Sequence, residues 1–157
     1  MGEKELRALT PIQPEWSIPQ LQENLAKALE GSGPALSTKK IDVKEVDKNI
    51  ALVISTSGST AESKLVAISD AALIASTNAC HKYLGAVPGD SWSLLLPTTH
   101  IAGLNVLIRA TALGSRVIDN RNATNYVDAD FISIVPTQLY KALTSDTKLL
   151  EPVSYTH

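Results

Sequence analysis

The feature that most constrains the fold is a repeated change in the spacing of apolar residues along the chain. Residues 50–54 are continuously apolar and rich in β-branched side chains, as in a strand that is covered on both faces. Further strand-like runs follow at residues 64–68, 92–96, 116–118 and 131–135. Helix-like runs lie at residues 69–84, 102–113 and 138–143. Strands that alternate with helices predict an α/β fold, with a layered, at least partly parallel sheet flanked by helices.

One more helix is predicted near the N-terminus. Ser17 can cap this helix, and the glycines and proline of residues 31–34 can end it. Its apolar stripe consists of Leu21, Leu25, Ala28 and Leu29. Residues 1–16 precede the helix and are predicted to form an N-terminal arm.

The helix at residues 69–84 has a second predicted apolar stripe, which consists of Leu73, Thr77, Cys80 and Leu84. Cys80 is the single cysteine, so an internal disulfide and a cysteine-cluster metal site are excluded. We expect it to be a small buried thiol, as free cysteine usually is. His81 follows it, beside Lys82, and is predicted to be a solvated surface residue.

Charge and hydropathy exclude several classes of partner. The 157 residues include 14 basic and 16 acidic ones, a net charge of −2, without a run of like charges. No electrostatic footprint for nucleic acid is therefore present. No apolar run approaches the roughly 18 residues of a membrane span, and the first residues lack the pattern of a signal peptide. We expect a cytoplasmic protein that binds neither nucleic acid nor membranes.

A loop rich in small and hydroxylated residues follows the first buried strand. It runs from Ser55 to Lys64 and can curl its backbone N–H groups and hydroxyls around an anion, with the lysine as a compact positive charge. A solvated turn of ordinary loop residues is an equal alternative from composition alone. A third alternative is the P-loop of mononucleotide-binding proteins. Ser63 and Leu65 depart from that pattern, and residues 64–68 read as a strand where the pattern requires a helix.

Thr56-Ser57-Gly58-Ser59-Thr60 followed by Lys64 is similar to the signature loop of the adenylate-forming superfamily. That pattern continues Thr-Gly-x-Pro-Lys-Gly, so Ala61 and Leu65 stand where the family has glycines and Ser63 where it has proline. Alanine disfavours a backbone conformation with positive φ, so the substitutions put the binding of the nucleotide by this loop in question.

Two further segments resemble the same family. Residues 96–104 contain the Pro-x-x-His-x-x-Gly pattern, and their Thr-Thr-His-Ile-Ala-Gly-Leu sequence most resembles the o-succinylbenzoate-CoA ligases of menaquinone biosynthesis. Residues 134–139 resemble the Val-Pro-Thr segment of the family. Together with the loop, these matches span residues 50–143.

The resemblance implies an ATP-dependent acid-thiol ligase. In such an enzyme the carboxylate of a small acid attacks the α-phosphate of ATP, and coenzyme A then displaces AMP. ATP, Mg²⁺ and coenzyme A are therefore implied, without a metal ligand among the matched residues.

The resemblance also implies the roles of particular residues. The nucleotide phosphates would be bound by Thr56, Ser57, Gly58, Ser59, Thr60 and Lys64. The implied catalytic residues are Lys64 and His100. The acyl substrate would contact His100, Gly103, Pro136 and Thr137, and Val135 would help to close the floor of its pocket. From the residues alone, His100 is an ordinary loop histidine, and Arg109 is more simply a surface arginine than a contact for an acidic substrate.

The family's later motifs, including the Thr-Glu segment, the ribose-binding aspartate and the C-terminal domain, do not occur in the sequence. Residues 17–157 are thus expected to be a partial AMP-binding N-terminal domain that is inactive alone. It could form homo-oligomers through apolar surface that later elements would cover. The alternative function is a non-catalytic protein that retains anion binding or an interaction role.

Overall fold

The computed structural model describes residues 5–56 and 64–145 of the chain. The strands in this part are β1 (Leu6–Pro11), β2 (Ala35–Ser37), β3 (Glu45–Asp47), β4 (Ile50–Thr56), β5 (Lys64–Ser69), β6 (Trp92–Leu94), β7 (Val117–Asp119) and β8 (Phe131–Ile132). The helices are α1 (Ile18–Glu30), α2 (Asp70–Leu84), α3 (Ile101–Ala112) and α4 (Pro136–Thr144).

The strands form two sheets. The larger sheet has the order β3-β1-β2-β4-β5, in which β1, β2 and β4 are parallel and the two edge strands are antiparallel to their neighbours. The smaller sheet has the order β7-β6-β8, with parallel pairing throughout. The prediction of a partly parallel sheet flanked by helices is confirmed.

β1 shows that the prediction of an N-terminal arm was wrong. Leu6–Pro11 lies inside the larger sheet, between β2 and β3. The guanidinium of Arg7 is buried, and it donates to the carbonyl of Ala28 at 2.9 Å and to the carbonyl of Gly33. Both carbonyls lie at the C-terminal end of α1, where C=O groups lack helical partners. These partners lie 21 or more residues away in the sequence, so no local pattern predicts the strand.

The predicted ends of α1 are confirmed. Ser17 and Gln20 form a reciprocal capping box, in which the Ser17 Oγ accepts from the Gln20 N–H and the Gln20 Oε1 accepts from the Ser17 N–H. Gly31 ends the helix in the left-handed conformation, with φ of 74°.

The buried stripe of α2 differs from the prediction. Leu73 and Thr77 are buried as expected, and Cys80 is half-buried. His81 is buried as well, whereas Leu84 is 41% exposed. Successive steps of four residues carry the buried stripe from Leu73 through Thr77 to His81, and these steps leave Leu84 at the surface. The prediction that His81 is a surface residue was therefore wrong.

The later elements follow the predicted order with shifted ends. β6 stops at Leu94, β8 contains only Phe131 and Ile132, and α4 begins at Pro136. Proline at the first helical position costs no intrahelical hydrogen bond, which explains the earlier start of α4.

One hydrophobic core joins the two sheets. It includes Leu25 of α1, Leu52 of β4, Leu73 of α2, Trp92 of β6 and Leu107 of α3. α3 contributes most of its length to this core, so its position relative to β6 is strongly determined. No helix among residues 5–56 and 64–145 is long and apolar enough to cross a membrane.

Candidate functional site

The loop predicted to bind phosphate joins the two strands of an antiparallel hairpin. Thr56 ends β4, Lys64 begins β5, and the sheet register pairs them directly. The Thr56 hydroxyl donates to the Lys64 carbonyl at 3.3 Å. Directly opposite residues of an antiparallel pair project from the same face of the sheet. The hydroxyl of Thr56 and the exposed side chain of Lys64 therefore stand together at the base of the loop.

The ends of this loop exclude the P-loop alternative. A P-loop requires a helix after its lysine, whereas Lys64–Ser69 is strand β5. The loop is anchored to the neighbouring strand as well, because the Ser55 N–H donates to the Thr38 hydroxyl at 3.1 Å, just beyond β2. The other predicted phosphate-binding residues lie outside the described residues, and they are Ser57, Gly58, Ser59 and Thr60.

His100 lies at the N-terminal end of α3, on the surface of the described residues. It is the N-cap of α3, its side chain forms no capping hydrogen bond, and it is exposed. Neither of the two cavities described below includes it. The predicted contact between His100 and the acyl group therefore stays a prediction.

Gly103 has a packing role that the resemblance did not indicate. A Cβ at this position would lie 2.3 Å from the Pro97 carbonyl oxygen and 2.8 Å from that of Leu96. Only glycine lets α3 cross the end of the β6 segment so closely. Gly103 therefore sets the position of α3 and is buried, and it does not line either cavity.

A groove of about 400 Å³ lies between α3 and the segment that follows β8. Ala102, Asn105 and Arg109 form its α3 wall, at the helical spacings of three and four residues that produce one stripe. Residues 132–135 form the facing wall, and Leu96 contributes an apolar side chain from beyond β6. The groove thus combines apolar side chains with a hydroxyl, an amide and a guanidinium.

Arg109 makes the groove electrostatically suited to an anion. No acidic residue lines the groove, and within residues 5–56 and 64–145 the guanidinium has no hydrogen bond or ion pair. A half-buried cation without a partner favours a ligand that supplies a carboxylate or a phosphate. The signal in the sequence was that Asn105 and Arg109 are the only polar residues between Ile101 and Ala110.

The Val-Pro-Thr segment contributes to the groove only through Val135. Pro136 and Thr137 are exposed and do not line it, and their predicted contact with the substrate stays a prediction. Gln138 fastens the segment, because its Oε1 accepts from the Val135 N–H at 3.1 Å and its Nε2 donates to the Leu95 carbonyl at 3.3 Å. Gln138 is a structural residue of the site that sequence reasoning did not identify.

A second cavity, of about 370 Å³, lies at the carboxyl ends of β1 and β2. Thr98 and Thr99, which directly precede His100, line it, so the loop of residues 97–100 borders this cavity while Leu96 and Ala102 border the groove. Its other lining residues include Trp16, Thr38, Lys39, Lys40 and Arg121. Ligand sites of open α/β sheets are typically found beyond the carboxyl ends of strands.

Arg121 is held at the rim of this second cavity by Asp119. The guanidinium Nε and Nη2 donate to the two carboxylate oxygens at 2.8 and 2.7 Å. Hydrogen bonding to Arg121 lowers the pKa of the Asp119 carboxyl from its ordinary value. The bidentate pair with Asp119 therefore neutralises much of the positive charge of Arg121 and fixes the orientation of its guanidinium.

Metal-ligating side chains are not clustered in the described residues. These residues contain no group of three or more histidine, cysteine, aspartate or glutamate side chains that could hold a metal ion. Mg²⁺ commonly binds through one or two carboxylates and the phosphates of its nucleotide, without a cage of protein ligands. We therefore assign no residue in this part of the chain to the metal.

Comparison with known proteins agrees with the geometry. The family model described as AMP-binding enzyme matches residues 3–149. A probable 2-succinylbenzoate-CoA ligase of Mycobacterium tuberculosis is 36% identical over 143 residues, which cover 76% of this chain and 37% of that protein. The chain thus spans about a third of the length of this curated relative.

Solved structures show the same fold. The o-succinylbenzoate coenzyme A synthetase of Bacillus subtilis, in complex with ATP and magnesium ion, superposes with a TM-score of 0.59 at 20% identity, covering 92% of this chain and 38% of that one. An acyl-CoA synthetase-like protein of Dyadobacter fermentans superposes with a TM-score of 0.55 at 28% identity, covering 67% of this chain and 35% of that one. The match of the family model over most of the chain, together with these likenesses, shows that the chain belongs to the AMP-binding enzyme family of adenylate-forming ligases.

Proposed function

We propose that this chain provides the acid-binding groove and the phosphate loop of an ATP-dependent acid-thiol ligase of the o-succinylbenzoate-CoA ligase type. The observation that carries the proposal is the groove between α3 and residues 132–135, where apolar side chains lie beside Arg109, whose guanidinium has no hydrogen bond or ion pair within residues 5–56 and 64–145. The relatives named 2-succinylbenzoate-CoA ligase support the choice of acid.

The chemistry of o-succinylbenzoate matches the lining of the groove. The acid has a flat aromatic ring and two carboxylates, of which one is activated and one is a spectator. Leu96, Ile134 and Val135 offer apolar contact for the ring, and the Arg109 guanidinium can bind the spectator carboxylate. Asn105, one helical turn before Arg109, can donate a further hydrogen bond from its side-chain amide.

The loop at the β4–β5 hairpin would serve the nucleotide in the same reaction. When a carboxylate attacks the α-phosphate of ATP, negative charge builds on the departing pyrophosphate. Lys64, at the base of the loop, can bind that charge as it develops, and the Thr56 hydroxyl can do so only when it gives up its bond to the Lys64 carbonyl. Coenzyme A would then supply the thiol that displaces AMP, which completes an acyl-CoA. The proposed roles of Ser57, Gly58, Ser59 and Thr60 follow from the resemblance alone.

Binding of the acid tests the groove directly. We expect the chain to bind o-succinylbenzoate, and Arg109→Ala to weaken binding at least tenfold, because hydrogen bonds to charged groups contribute roughly 1.5–3 kcal/mol. Arg109→Lys should retain part of the affinity. Calorimetry gives the dissociation constants, and ¹⁵N NMR identifies the residues that respond.

Arg116→Ala is the matched control, because it removes the same charge from an exposed residue that lies outside the groove. If Arg116→Ala and Arg109→Ala weakened acid binding equally, the effect would come from net charge and not from a contact in the groove. An absence of binding by the unmodified chain would contradict the assignment of the groove.

A further inference from the structure

The side chain of His81 is hydrogen-bonded to the backbone of Arg109, the residue whose side chain lines the groove. The imidazole is 9% exposed, and its Nε2 lies 3.1 Å from the carbonyl oxygen of Arg109. A carbonyl can only accept a hydrogen bond, so the Nε2 carries the proton in this contact. His81 thus ties α2 to α3 at Arg109.

The Arg109 carbonyl needs this donor because of its place in the helix. The carbonyls in the last turn of a helix have no intrahelical N–H partner. At the end of α3, the Leu113 and Ser115 N–H groups donate to Ala110, and the Gly114 N–H donates to Thr111. The Arg109 carbonyl is not among the acceptors of those donors, and His81 supplies the hydrogen bond that it would otherwise lack.

The same imidazole also reaches the facing wall of the groove through two aromatic rings. Its centroid lies 5.9 Å from that of Trp92, and the Trp92 ring lies 4.7 Å from that of Phe131. Trp92 is almost fully buried in β6, and Phe131 begins β8, directly before the residues that form the facing wall. Tilted ring contacts through Trp92 therefore connect His81, which is bonded to the Arg109 backbone, with Phe131, the neighbour of the facing wall.

We propose that His81 is a positioning residue that sets the distance between Arg109 and the β8 wall, and thereby selects acids that carry a second carboxylate. This inference rests on the proposed function of the groove. A hydrogen bond at the Arg109 backbone combined with a ring stack to Phe131 couples both walls to one buried side chain. Closely packed interiors transmit such displacements, since they contain little space in which neighbours can relax.

Two substitutions separate the hydrogen bond from the ring. His81→Phe keeps an aromatic ring against Trp92 but cannot donate to the Arg109 carbonyl. His81→Gln lacks the ring but has a side-chain N–H near the place of Nε2, so it can restore the bond. Tyr83→Phe is the control on the same helix, because Tyr83 is exposed to solvent. Circular dichroism and thermal unfolding establish that each variant is folded.

The first readout compares two acids by calorimetry on the folded chain. We expect His81→Phe to weaken the binding of o-succinylbenzoate about tenfold, because a buried hydrogen bond is lost. The affinity for benzoate, which has the ring and one carboxylate, should change less than about twofold. His81→Gln should recover most of the affinity for o-succinylbenzoate. Equal weakening of the two acids, or His81→Gln behaving like His81→Phe, would overturn the proposal.

The second readout does not depend on acid binding. The ¹³C resonance of the Arg109 carbonyl should move in His81→Phe and return in His81→Gln, and the amide signals of Ile134 and Val135 should move with it. If the unmodified chain binds neither acid, the proposed function of the groove fails, and this readout alone decides whether His81 positions its walls. Unchanged resonances in His81→Phe would refute the positioning role.

Discussion

β4 and β5 are adjacent strands of one hairpin with similar apolar sequences, yet their environments are opposite. Ala51, Leu52 and Val53 of β4 are buried, whereas Leu65 and Val66 of β5 are 46% and 41% exposed. β4 has a strand on each side, while β5 is the edge of the sheet. An apolar run therefore predicts that a strand forms, but its place in the sheet decides whether the strand is buried.

The same contrast separates the two parts of the candidate site. Lys64 begins the exposed edge strand and is open to a large, highly charged ligand such as a nucleotide triphosphate. Arg109 belongs to α3, six of whose twelve residues are buried, and its half-buried side chain lines the groove. The edge thus suits phosphate binding, and the interior suits shape-dependent recognition of a flat acid.

The largest expected effect compares truncation of a leucine in each strand. Leu52→Ala should lower the free energy of unfolding by about 2–5 kcal/mol, because Leu52 is fully buried and its loss leaves a cavity. Leu65→Ala should lower it by less than about 1 kcal/mol, since that side chain is already half in water. Urea unfolding measures both. Similar losses would mean that β5 is covered in solution.

A smaller effect is expected when a side chain is enlarged. Gly103→Ala should destabilise the chain by about 1–3 kcal/mol, because the new Cβ collides with the Pro97 carbonyl. Ala67→Val on the exposed part of β5 should change stability by less than about 0.5 kcal/mol. Thermal unfolding provides the comparison. Alanine favours a helix over glycine by up to roughly 1 kcal/mol, so a stabilised Gly103→Ala variant would show that α3 has room to move.

The smallest expected effect concerns association through the β5 edge. An exposed apolar edge strand pairs readily with another chain, so we predict self-association at micromolar concentrations or above. Val66→Lys should abolish it, and Val127→Lys, at an exposed position far from β5 in the sequence, should not. Sedimentation velocity distinguishes the outcomes. If the chain is a monomer at all concentrations, or if both lysine substitutions reduce association equally, the chain does not self-associate through the β5 edge.

Much of the fold was predictable because its signals are local. Ser17 and Gly31 mark the ends of α1 through hydrogen bonds and a left-handed turn within a few residues of each end. The continuous apolar run of β4 similarly predicts a strand that is covered on both faces. β1 was missed because its partners, β2 and β3, are distant in sequence and its buried side chain is an arginine.

The site was predictable in part for the same reason. Thr56 and Lys64 are close because a hairpin joins them, and the family pattern identified both. His100 matched the pattern but is exposed at the end of α3, while Arg109 was set aside as a surface arginine and lines the groove. Which face of a helix meets a cavity depends on what packs against it, and spacing within the helix does not reveal that neighbour.

By itself, the sequence determined the order of strands and helices, most helix ends and the family, because each depends on residues that are near one another in the chain. The tertiary structure alone decided that Arg7 and His81 are buried, that Gly103 admits the crossing of α3, and that β5 is exposed. These properties depend on contacts between distant segments. Such contacts determine how much water reaches a side chain and which carbonyl or ring it meets.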